Sequence, residues 1–345
     1  MSYILPSNSK SSIVLYLDSR DATAYLATKL ETDANDNSKQ VNMNSYFQYV
    51  LQENIEVPLN QRALVSLQSA TIPYSFYNIR SDVNDTLLFR IKDEDEVSTG
   101  LQELNLSAGN YTAYSLQEAI KTYINTFINI GTLNYTFDME YDSDKNKYLF
   151  SVVNNLNTKV LQVDFFFLDS IKSCNVEMGF EPLNHQFSSD TAETFRFSEN
   201  VIDINGSIHG VYIRSNLVSS GTLDSQNGTL SNILARLPIN VQSGGIIFGE
   251  DNNHKSIVDL KYINTITIRL TDERNRLLDL NGLHFQVAIQ LDFIYAKKPI
   301  SLPNGGLSES QELSFHNEDK QELINQRLIE YLRQTDKLKS KETKK

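Results

Sequence analysis

The sequence predicts an all-β fold that is interrupted once by a small α+β insertion and followed by a C-terminal helix. Tyrosine and phenylalanine, 17 of each, carry much of the 40% apolar content, and aromatic and β-branched residues suit the pleated, half-buried surface of a sheet. Short apolar runs alternate with loops rich in Gly, Ser and Asn along most of the chain. A clear helical spacing of apolar residues occurs only after Ser115 and in the last segment.

The stretch Arg62–Ile79 is predicted to form a central strand and the corner that follows it. Apolar and polar residues occupy both alternating sets of positions from Ala63 to Ser69, which is typical of a strand that packs on both faces. Pro73 is predicted to end the strand, because proline has no N–H to donate to a sheet. A corner as apolar as the one after Pro73 must be covered, either by the core of the same chain or by another chain. Its apolar residues are Tyr74, Phe76, Tyr77 and Ile79.

Three further strands are predicted before residue 96, with a polar loop at Asp33–Asn44. The alternation of the second strand is broken at Gln52–Asn54, and such a break predicts a β-bulge. The three strands are Ser12–Ser19, Tyr46–Val57 and the LLFRI run after Asn84.

Residues 96–199 are predicted to form the α+β insertion. Ser115 with Glu118 has the spacing of a capping box, and the apolar residues that follow keep helical spacing until Gly131. Two strands joined by the turn DSDKNK, a third strand and a short helix are predicted next. These elements are Asn134–Tyr141, Tyr148–Val153, Val160–Leu168 and Ser170–Phe180.

Strands return after Ile204, so that residues 1–95 and 200–300 are predicted to form one β domain. Polar loops are predicted at Ser219–Thr229 and Ser243–Asn253. Four strands before the insertion and four after it make eight, the number that a single jelly-roll β-sandwich requires. The later strands are Ile208–Arg214, Ile233–Val241, Ile263–Leu270 and His284–Tyr295.

Residues 301–345 are predicted to form a linker, a helix at Asn317–Lys339 and a basic tail. Two prolines and a Gly pair lie within Lys297–Gly306, which is typical of a domain end. The helix either docks on another chain or folds back on its own domain. One of its faces is apolar and carries Ile324, Leu328, Tyr331 and Leu332.

Composition limits the classes of function. The single cysteine, Cys174, excludes an internal disulfide and suits a reducing compartment. The first ten residues lack the pattern of a signal peptide, and no run approaches the ~20 apolar residues that a spanning helix needs, so we expect a soluble protein made in the cytosol. A net charge of −12 argues against specific nucleic-acid binding by the folded body. Residues 337–345 are locally basic, with five lysines and one glutamate.

No catalytic, cofactor or metal site is predicted. The five histidines are widely separated, and the nucleophile-elbow, P-loop and zincin motifs are absent. Asp142–Asn146 resembles the start of a calcium loop, but Lys147 and Val153 stand where glycine and glutamate are needed, so a hairpin turn is predicted. Cys174 is predicted to be a buried structural thiol. The charged run Asp272–Arg276 is predicted to be a solvated loop in preference to a specific contact site.

Several of these stretches resemble penton-type minor capsid proteins of virophages, polinton-like viruses and giant double-stranded DNA viruses, in the adenovirus-like jelly-roll lineage. The resemblance covers much of Asp18–Tyr295, and its phrases are strand-and-corner phrases without a catalytic signature. The stretches are SLQSATIPYSFYNI (Ser66–Ile79), LLFRI, GNYTAYSLQEAI (Gly109–Ile120), SNILARLPINV (Ser231–Val241) and Ile263–Tyr295.

The resemblance implies a structural virion protein that is not an enzyme: a penton forming homopentamers of upright jelly rolls at icosahedral vertices. Its partners would be further copies of itself, the major capsid protein and other minor capsid proteins, without a cofactor. It would be assembled in the host cytoplasm, and its lysine tail could make weak contacts with the genome or an internal membrane. The candidate interface residues are Tyr74, Phe76, Tyr77, Ile324, Leu328, Tyr331 and Leu332.

Two alternatives remain open at this point. A jelly-roll carbohydrate-binding or host-attachment protein would place its site in the polar loops Ser219–Thr229 and Ser243–Asn253. A hydrolase built on a β-sandwich would need a clustered acid–base pair. Binding to glycans would favour the first alternative, and such a pair in the folded chain would favour the second.

Overall fold

The fold was obtained as a computed structural model. It describes residues 11–32, 38–93, 100–130, 135–154, 161–188, 193–205, 208–219, 222–224, 229–250 and 254–295. The chain divides into two compact units, and the first, Met1–Pro58 with Arg62–Ile294, contains both cores described below. Of the second unit, Leu59–Gln61 with Tyr295–Lys345, only Leu59–Gln61 and Tyr295 are described. The predicted helix at Asn317–Lys339 lies outside the described residues.

The described residues form 21 strands and one α-helix, which confirms the all-β prediction. The first group is β1 (Ser11–Asp18), β2 (Ala24–Tyr25), β3 (Thr28–Thr32), β4 (Ser38–Asn42), β5 (Tyr46–Glu56) and β6 (Gln61–Pro73). The second is β7 (Thr86–Asp93), β8 (Gln102–Asn105), α1 (Ala113–Ile130), β9 (Tyr135–Asp142), β10 (Lys147–Asn154), β11 (Leu161–Phe166), β12 (Asn184–Ser188) and β13 (Glu193–Phe197). The third is β14 (Gly210–Ser215), β15 (Thr222–Asp224), β16 (Thr229–Ser231), β17 (Ile233–Pro238), β18 (Ile246–Glu250), β19 (Ser256–Val258), β20 (Tyr262–Thr271) and β21 (Gln286–Tyr295).

Two sheets form a jelly-roll sandwich. One sheet has the order β1-β21-β6-β18, with β19 also paired to β6, and the other has the order β17-β14-β20-β5-β2. The strands of the sandwich are lettered B to I in chain order. They are β1 (B), β5 (C), β6 (D), β14 (E), β17 (F), β18 with β19 (G), β20 (H) and β21 (I). The first sheet is therefore the BIDG sheet and the second is the CHEF sheet. Four strands face four strands in the order of a single jelly roll, which confirms the predicted architecture.

The core of the sandwich explains the mixed pattern of the central strand β6. Ala63, Val65 and Leu67 are buried in it, and so are Ala70 and Ile72, so the buried positions change from odd to even. The partner strand changes over the same stretch, from β19 at Ala63–Val65 to β18 at Ser69–Pro73. Apolar residues therefore occupy both sets of alternating positions, because the set that faces the core changes where β6 passes from one partner strand to the other.

The break in β5 is the bulge that the sequence predicts. Val50 pairs with Thr265, and Ile55 pairs with Ile263, so residues 51–54 lie opposite Asn264 alone. The extra residues are polar and exposed at 52–54. A bulge of this kind bends the strand and increases its twist.

A second core lies in the insertion. It is formed by the sheets β13-β10-β9 and β12-β11-β7-β8 together with α1. Strand β7 belongs here, because it pairs with β8 and β11 and its Leu87, Phe89 and Ile91 lie in this core. Counting it among the strands of the jelly roll was wrong. The missing strand of the sandwich is β18 with β19, and β18 lies within the stretch predicted as a polar loop at Ser243–Asn253.

Helix α1 begins earlier than predicted. The N–H of Ser115 donates to the Oγ1 of Thr112 (3.1 Å), and the N–H of Thr112 donates to the Oγ of Ser115 (2.9 Å). The reciprocal cap is therefore Thr112 with Ser115, not Ser115 with Glu118. Leu116, Ile120 and Ile124 form the buried face of the helix, as their spacing predicts. In the described part of the chain, no helix has the length and apolar character needed to cross a bilayer.

The short helix predicted at Ser170–Phe180 is not formed. These residues form turns after a 3-10 helix at Phe167–Asp169, and Ser173 makes an isolated bridge to Thr86. Buried Cys174, Met178 and Phe180 contribute to the second core from these turns. Their burial, not a helical period, accounts for the apolar residues in this stretch.

Candidate functional site

The corner after Pro73 belongs to the core of the sandwich. Phe76 is 1% exposed and its ring centroid lies 4.6 Å from that of Tyr74, which is also buried. The backbone N–H of Tyr74 donates to the carbonyl of Gly245 at 2.9 Å, and the Ser75 hydroxyl donates to the carbonyl of Leu280 at 2.7 Å. Since these contacts are internal, Tyr74 and Phe76 are placed to stabilise their own chain.

Tyr77 is the exposed member of the predicted interface set, with 36% of its surface accessible. Its role in assembly stays a prediction. The remaining candidates, Ile324, Leu328, Tyr331 and Leu332, lie outside the described residues.

The chain passes from one core to the other at Asn78. The side chain of Asn78 donates to the carbonyl of Tyr111 and accepts the N–H groups of Ile79 and Tyr111. Phe76 lies in the sandwich core and Ile79 in the second core. On the return path, Ile202 lies in the second core and Ile208 in the sandwich core. The cores therefore divide the chain near residues 77–78 and 203–207.

We propose that these crossings, and not residues 95–96 and 199–200, are the domain boundaries. Replacing residues 78–207 by a short Gly/Ser linker is expected to leave a soluble β protein that unfolds cooperatively, as measured by circular dichroism in denaturant. Replacing residues 93–199 is the matched comparison, because it keeps most of β7 and Ile79 but removes the core that buries them. That variant is expected to aggregate. Equal behaviour of the two variants would contradict the boundaries.

A buried ion pair connects the two cores. Asp272, 1% exposed, lies in the turn between β20 and β21 and accepts hydrogen bonds from Nη1 of Arg80 (3.2 Å) and Nε of Arg276 (2.7 Å). It also accepts the backbone N–H groups of Arg274 and Arg276 at 2.9 and 2.8 Å. The prediction of a solvated loop is therefore wrong for Asp272, whose burial shapes the turn and joins it to the start of the insertion.

Glu177 lies close to this ion pair and is 2% exposed. The Nδ2 of Asn84 donates to one of its oxygens, and the other oxygen has no hydrogen-bond partner among the described residues. Burial raises the pKa of Glu177 to about 7, and the negative charge of Asp203 contributes to the increase. The hydrogen bond from Asn84 and the positive charge of Arg80 act in the opposite direction and lower this pKa. Burial also lowers the pKa of Arg80, whose Nε and Nη2 have no partner among the described residues. The junction therefore holds a carboxyl group that titrates near neutral pH.

Glu177→Gln is expected to remove a pH dependence from the stability of the fold. A carboxyl group whose pKa is raised on folding contributes stability that is complete below its ordinary pKa of 4.5 and is lost as the pH rises through about 7. Between pH 5 and pH 8.5 the wild type should lose about 2–3 kcal/mol that the variant keeps. Urea unfolding across this range measures the difference. Glu103→Gln, an exposed glutamate, is the control, and identical slopes for wild type and Glu177→Gln would contradict the assignment.

The acidic hairpin and the cysteine have structural roles. The Oδ1 of Asp142 accepts the N–H groups of Asp144 and Lys145, each at 3.0 Å, and Asn146 adopts φ +53°, so the predicted hairpin turn is confirmed. Cys174 is buried with its Sγ 3.6 Å from the Sδ of Met178, and burial raises its thiol pKa. Within the described ranges, no group of three or more metal-ligating residues is arranged to hold an ion.

The outer face of the BIDG sheet is apolar and exposed. Phe248 and Ile246, on β18, pair with Thr71 and Pro73 on the side of β6 that faces away from the core, and Phe248 is 57% exposed. Tyr16 on β1, paired with Ala288, is 79% exposed on the same face. A cleft of about 320 Å³ lies beside these residues, with Asp18, Pro73, Ile246 and His284 in its lining. The apolar run Ile246–Phe248 is the sequence signal for this strand, and the prediction of a polar loop missed it.

The outer face of the CHEF sheet carries arginines interleaved with tyrosines. Arg214 and Arg269 lie directly opposite each other on β14 and β20. Arg269 also pairs with Tyr46, with 5.8 Å between its guanidinium carbon and the ring centroid. Arg236 lies 5.8 Å from the ring of its partner Tyr212. Of these arginines, Arg236 is exposed, whereas Arg214 is 3% exposed and its guanidinium group donates to the side chains of Thr271 and Asn232.

Like charges meet on this face. Burial and the nearby charge of Arg214 lower the pKa of Arg269, and the Nε of Arg269 has no partner among the described residues. Among the residues that the structure describes, neither Arg236 nor Arg269 forms an ion pair.

The chain has a structural likeness to proteins of known structure. The sequence matches no protein-family model and no curated protein. Among solved structures, the chain is similar to the crystal structure of the selenomethionine-labelled mavirus penton protein, with a TM-score of 0.46 and 14% sequence identity. The similarity covers 83% of this chain and 100% of that chain.

Proposed function

We propose that the protein is a structural virion protein, a minor capsid protein of the penton type that forms pentameric capsomers at icosahedral vertices. The observation that carries the proposal is the single jelly roll with exposed apolar and aromatic side chains on an outer sheet face, most clearly Tyr16, Ile246 and Phe248. Aromatic residues and arginine are the residues enriched at protein interfaces. The sequence resemblance to penton-type proteins supports the same role.

A fivefold ring imposes a specific requirement on its subunit. Cyclic symmetry other than twofold uses a heterologous interface, in which one face of a subunit contacts a different face of the next. The sandwich offers two different faces, one on each sheet. Besides further copies of itself, we expect the major capsid protein and other minor capsid proteins as partners, with assembly in the host cytoplasm and a final location in the virion.

The described structure gives the attachment-protein alternative less support than the sequence does. That alternative relied on polar loops at Ser219–Thr229 and Ser243–Asn253. Strand β18 lies within the second of these stretches, and it directs Ile246 and Phe248 to the surface in place of polar groups. An exposed apolar strand suits contact with protein better than contact with a sugar.

Light scattering of the purified protein, alone and mixed with its major capsid protein, tests the proposal. A pentamer should have about five times the chain mass of 39.3 kDa. A protein that stays monomeric up to high concentration, both alone and in the mixture, would contradict the proposed function. Binding to glycans by such a monomer would favour the attachment alternative.

We also propose that the C-terminal segment is a docking arm, on the strength of its sequence. Deleting residues 308–345 is expected to leave the melting temperature unchanged while the truncated protein fails to enter particles. Calorimetry and particle incorporation measure the two effects. A large fall in melting temperature would make the segment part of the fold.

A further inference from the structure

We propose that the open edge of β1, formed by the backbone groups of Ser12, Val14 and Tyr16, accepts an added strand. The strand is residues 307–316 of the C-terminal segment of another copy of this chain. The inference rests on the proposed docking arm, and it names the place where that arm binds. The contact is made by backbone hydrogen bonds at one edge of the BIDG sheet and does not use the outer face of either sheet.

The backbone of β1 has one paired edge and one open edge. The N–H of Ser19 donates to the carbonyl of Phe285 at 3.0 Å, and these two residues continue the register in which Leu17 lies opposite Val287. Opposed residues of an antiparallel pair alternate between bonded and non-bonded positions, so Leu17 and every second residue before it bond to β21. The residues between them direct their N–H and C=O groups away from β21, where no described strand pairs with β1. They are Ser12, Val14 and Tyr16.

Most of β1 lacks the features that protect a sheet edge from association, which are charged side chains, proline, bulges and short length. Residues 11–17 have the sequence SSIVLYL, without a charge or a proline. All eight residues of the strand pair with β21 in one continuous register. An edge that is long, regular and uncharged is a template for the addition of an extended segment.

Several other sheet edges carry such protection. On β9, the side chain of Asn125 from α1 donates to the carbonyl of Phe137 at 2.7 Å and accepts its N–H at 3.0 Å. β17 contains Arg236 and ends at Pro238, and β18 has five residues, one of them Gly249. β2 has two residues and β8 has four. The contrast indicates that β1 is the edge suited to a partner strand.

The C-terminal segment can supply that strand. β21 ends at Tyr295, and its Phe293 lies opposite Ser11, so the chain leaves the sheet beside the start of β1. The sequence of residues 307–316, LSESQELSFH, contains no proline, and its apolar residues fall on one set of alternate positions. This is the period of a strand with one apolar face. The apolar residues are Leu307, Leu313 and Phe315.

A second copy supplies this strand more readily than the same chain does. A segment that left β21 and turned back directly along the open edge would run parallel to β1, because β21 is antiparallel to β1. Parallel pairing is slightly less stable per residue than antiparallel pairing. A segment from another copy approaches from outside and is free to pair antiparallel. In a ring, a contact of this kind joins each copy to the next.

Cross-linking of full-length chains tests which chain supplies the strand. Tyr16→Cys is prepared in one sample and Phe315→Cys in another, and the two are mixed with a short bismaleimide. The native Cys174 is buried, so the reagent reports on the introduced thiols. Mass spectrometry is expected to find peptides that link position 16 of one chain to position 315 of the other. Ile171→Cys, at a position 98% exposed in the insertion, replaces Tyr16→Cys in the control and is expected to give no such link.

A pair of proline substitutions tests whether the backbone of the open edge makes the contact. Val14→Pro removes an N–H that points away from β21, a position at which an edge strand tolerates proline. The sheet should remain intact, and the links between positions 16 and 315 should fall to the level of the control. Leu15→Pro removes an N–H that bonds to β21, so it should lower the melting temperature instead.

Val14→Lys provides a second variant that does not depend on proline. It keeps the N–H and places a charge on the open edge, which is a feature that prevents strand addition. It should also abolish the links while the melting temperature stays unchanged. Links that persist in both folded Val14 variants would overturn the inference.

The remaining outcomes separate the inference from the function it rests on. A chain that carries both cysteines and forms the link only within itself would overturn the assignment to another copy. Pentamers in light scattering without any link between positions 16 and 315 would overturn the inference and leave the penton proposal standing. Links between copies of a protein that forms no pentamer would support the inference and contradict the penton proposal.

Discussion

Replacing Phe76 by alanine is expected to lower the free energy of unfolding by about 3–5 kcal/mol, the usual cost of truncating a fully buried phenylalanine. The ring is 1% exposed and packs against Tyr74 at the end of the sandwich where the chain leaves for the insertion. The loss combines the transfer free energy of the ring with the cavity that the sandwich cannot close. Denaturant unfolding followed by fluorescence or circular dichroism measures it.

Tyr77→Ala provides the matched control, since its ring lies one residue away and is 36% exposed. Its effect on stability should stay below about 1 kcal/mol. If Tyr77 lies at a contact between copies, the same substitution should weaken assembly. Comparable stabilities for the wild type and Phe76→Ala would place the Phe76 ring outside the core and contradict the packing described.

Asp272→Ala is expected to cost about 3–5 kcal/mol, because removing one partner of a buried ion pair leaves the other charge without compensation. Arg80 would lose its described carboxylate partner while remaining largely buried, and the turn after β20 would lose the acceptor of two backbone N–H groups. Thermal and denaturant unfolding measure the loss. The insertion should also become more accessible to proteases at its start, near Arg80.

A double-mutant cycle separates the ion pair from the turn. Arg80→Met removes the buried charge that Asp272→Ala leaves behind, so the double variant should regain a large part of the lost stability. Lys121→Ala breaks the more exposed pair between Lys121 and Asp138 and should cost less than about 1 kcal/mol. Additive losses for Arg80→Met and Asp272→Ala would show that the two groups do not interact.

The arrangement of local elements could be predicted from sequence. Pro73 ends β6 because it has no N–H, the break at 52–54 is the bulge of β5, and Leu116, Ile120 and Ile124 form the buried face of α1. Each of these predictions depends on residues within a few positions of one another. The predicted capping residue was wrong because Thr112 and Ser115 are both suitable N-cap residues. Moving the cap by three residues leaves the spacing of the apolar residues unchanged, so the helical pattern does not distinguish the two.

Interactions between distant segments were decided by the tertiary structure alone. The run of β7 has the pattern of a buried strand, and that pattern is equally satisfied by the sandwich core and by the second core. The bond between Arg80 and Asp272 joins residues 192 positions apart, and neither residue has a local signal of burial. The outer face of the BIDG sheet is a further example, because Tyr16 and Phe248 lie on one surface only after β1, β21, β6 and β18 are in order.

The sequence by itself therefore determined the class of fold, the existence of an insertion and the local geometry of its strands and helix, since alternation, proline and capping act through neighbouring atoms. The tertiary structure decided which strands share a sheet, which charge is buried at the junction and which side chains form the two outer faces. Those outcomes depend on the partner that each segment finds across the core. Burial and strand pairing depend on two segments at once. A pattern within one segment shows only that the segment is suited to be buried or paired, and it does not identify the partner.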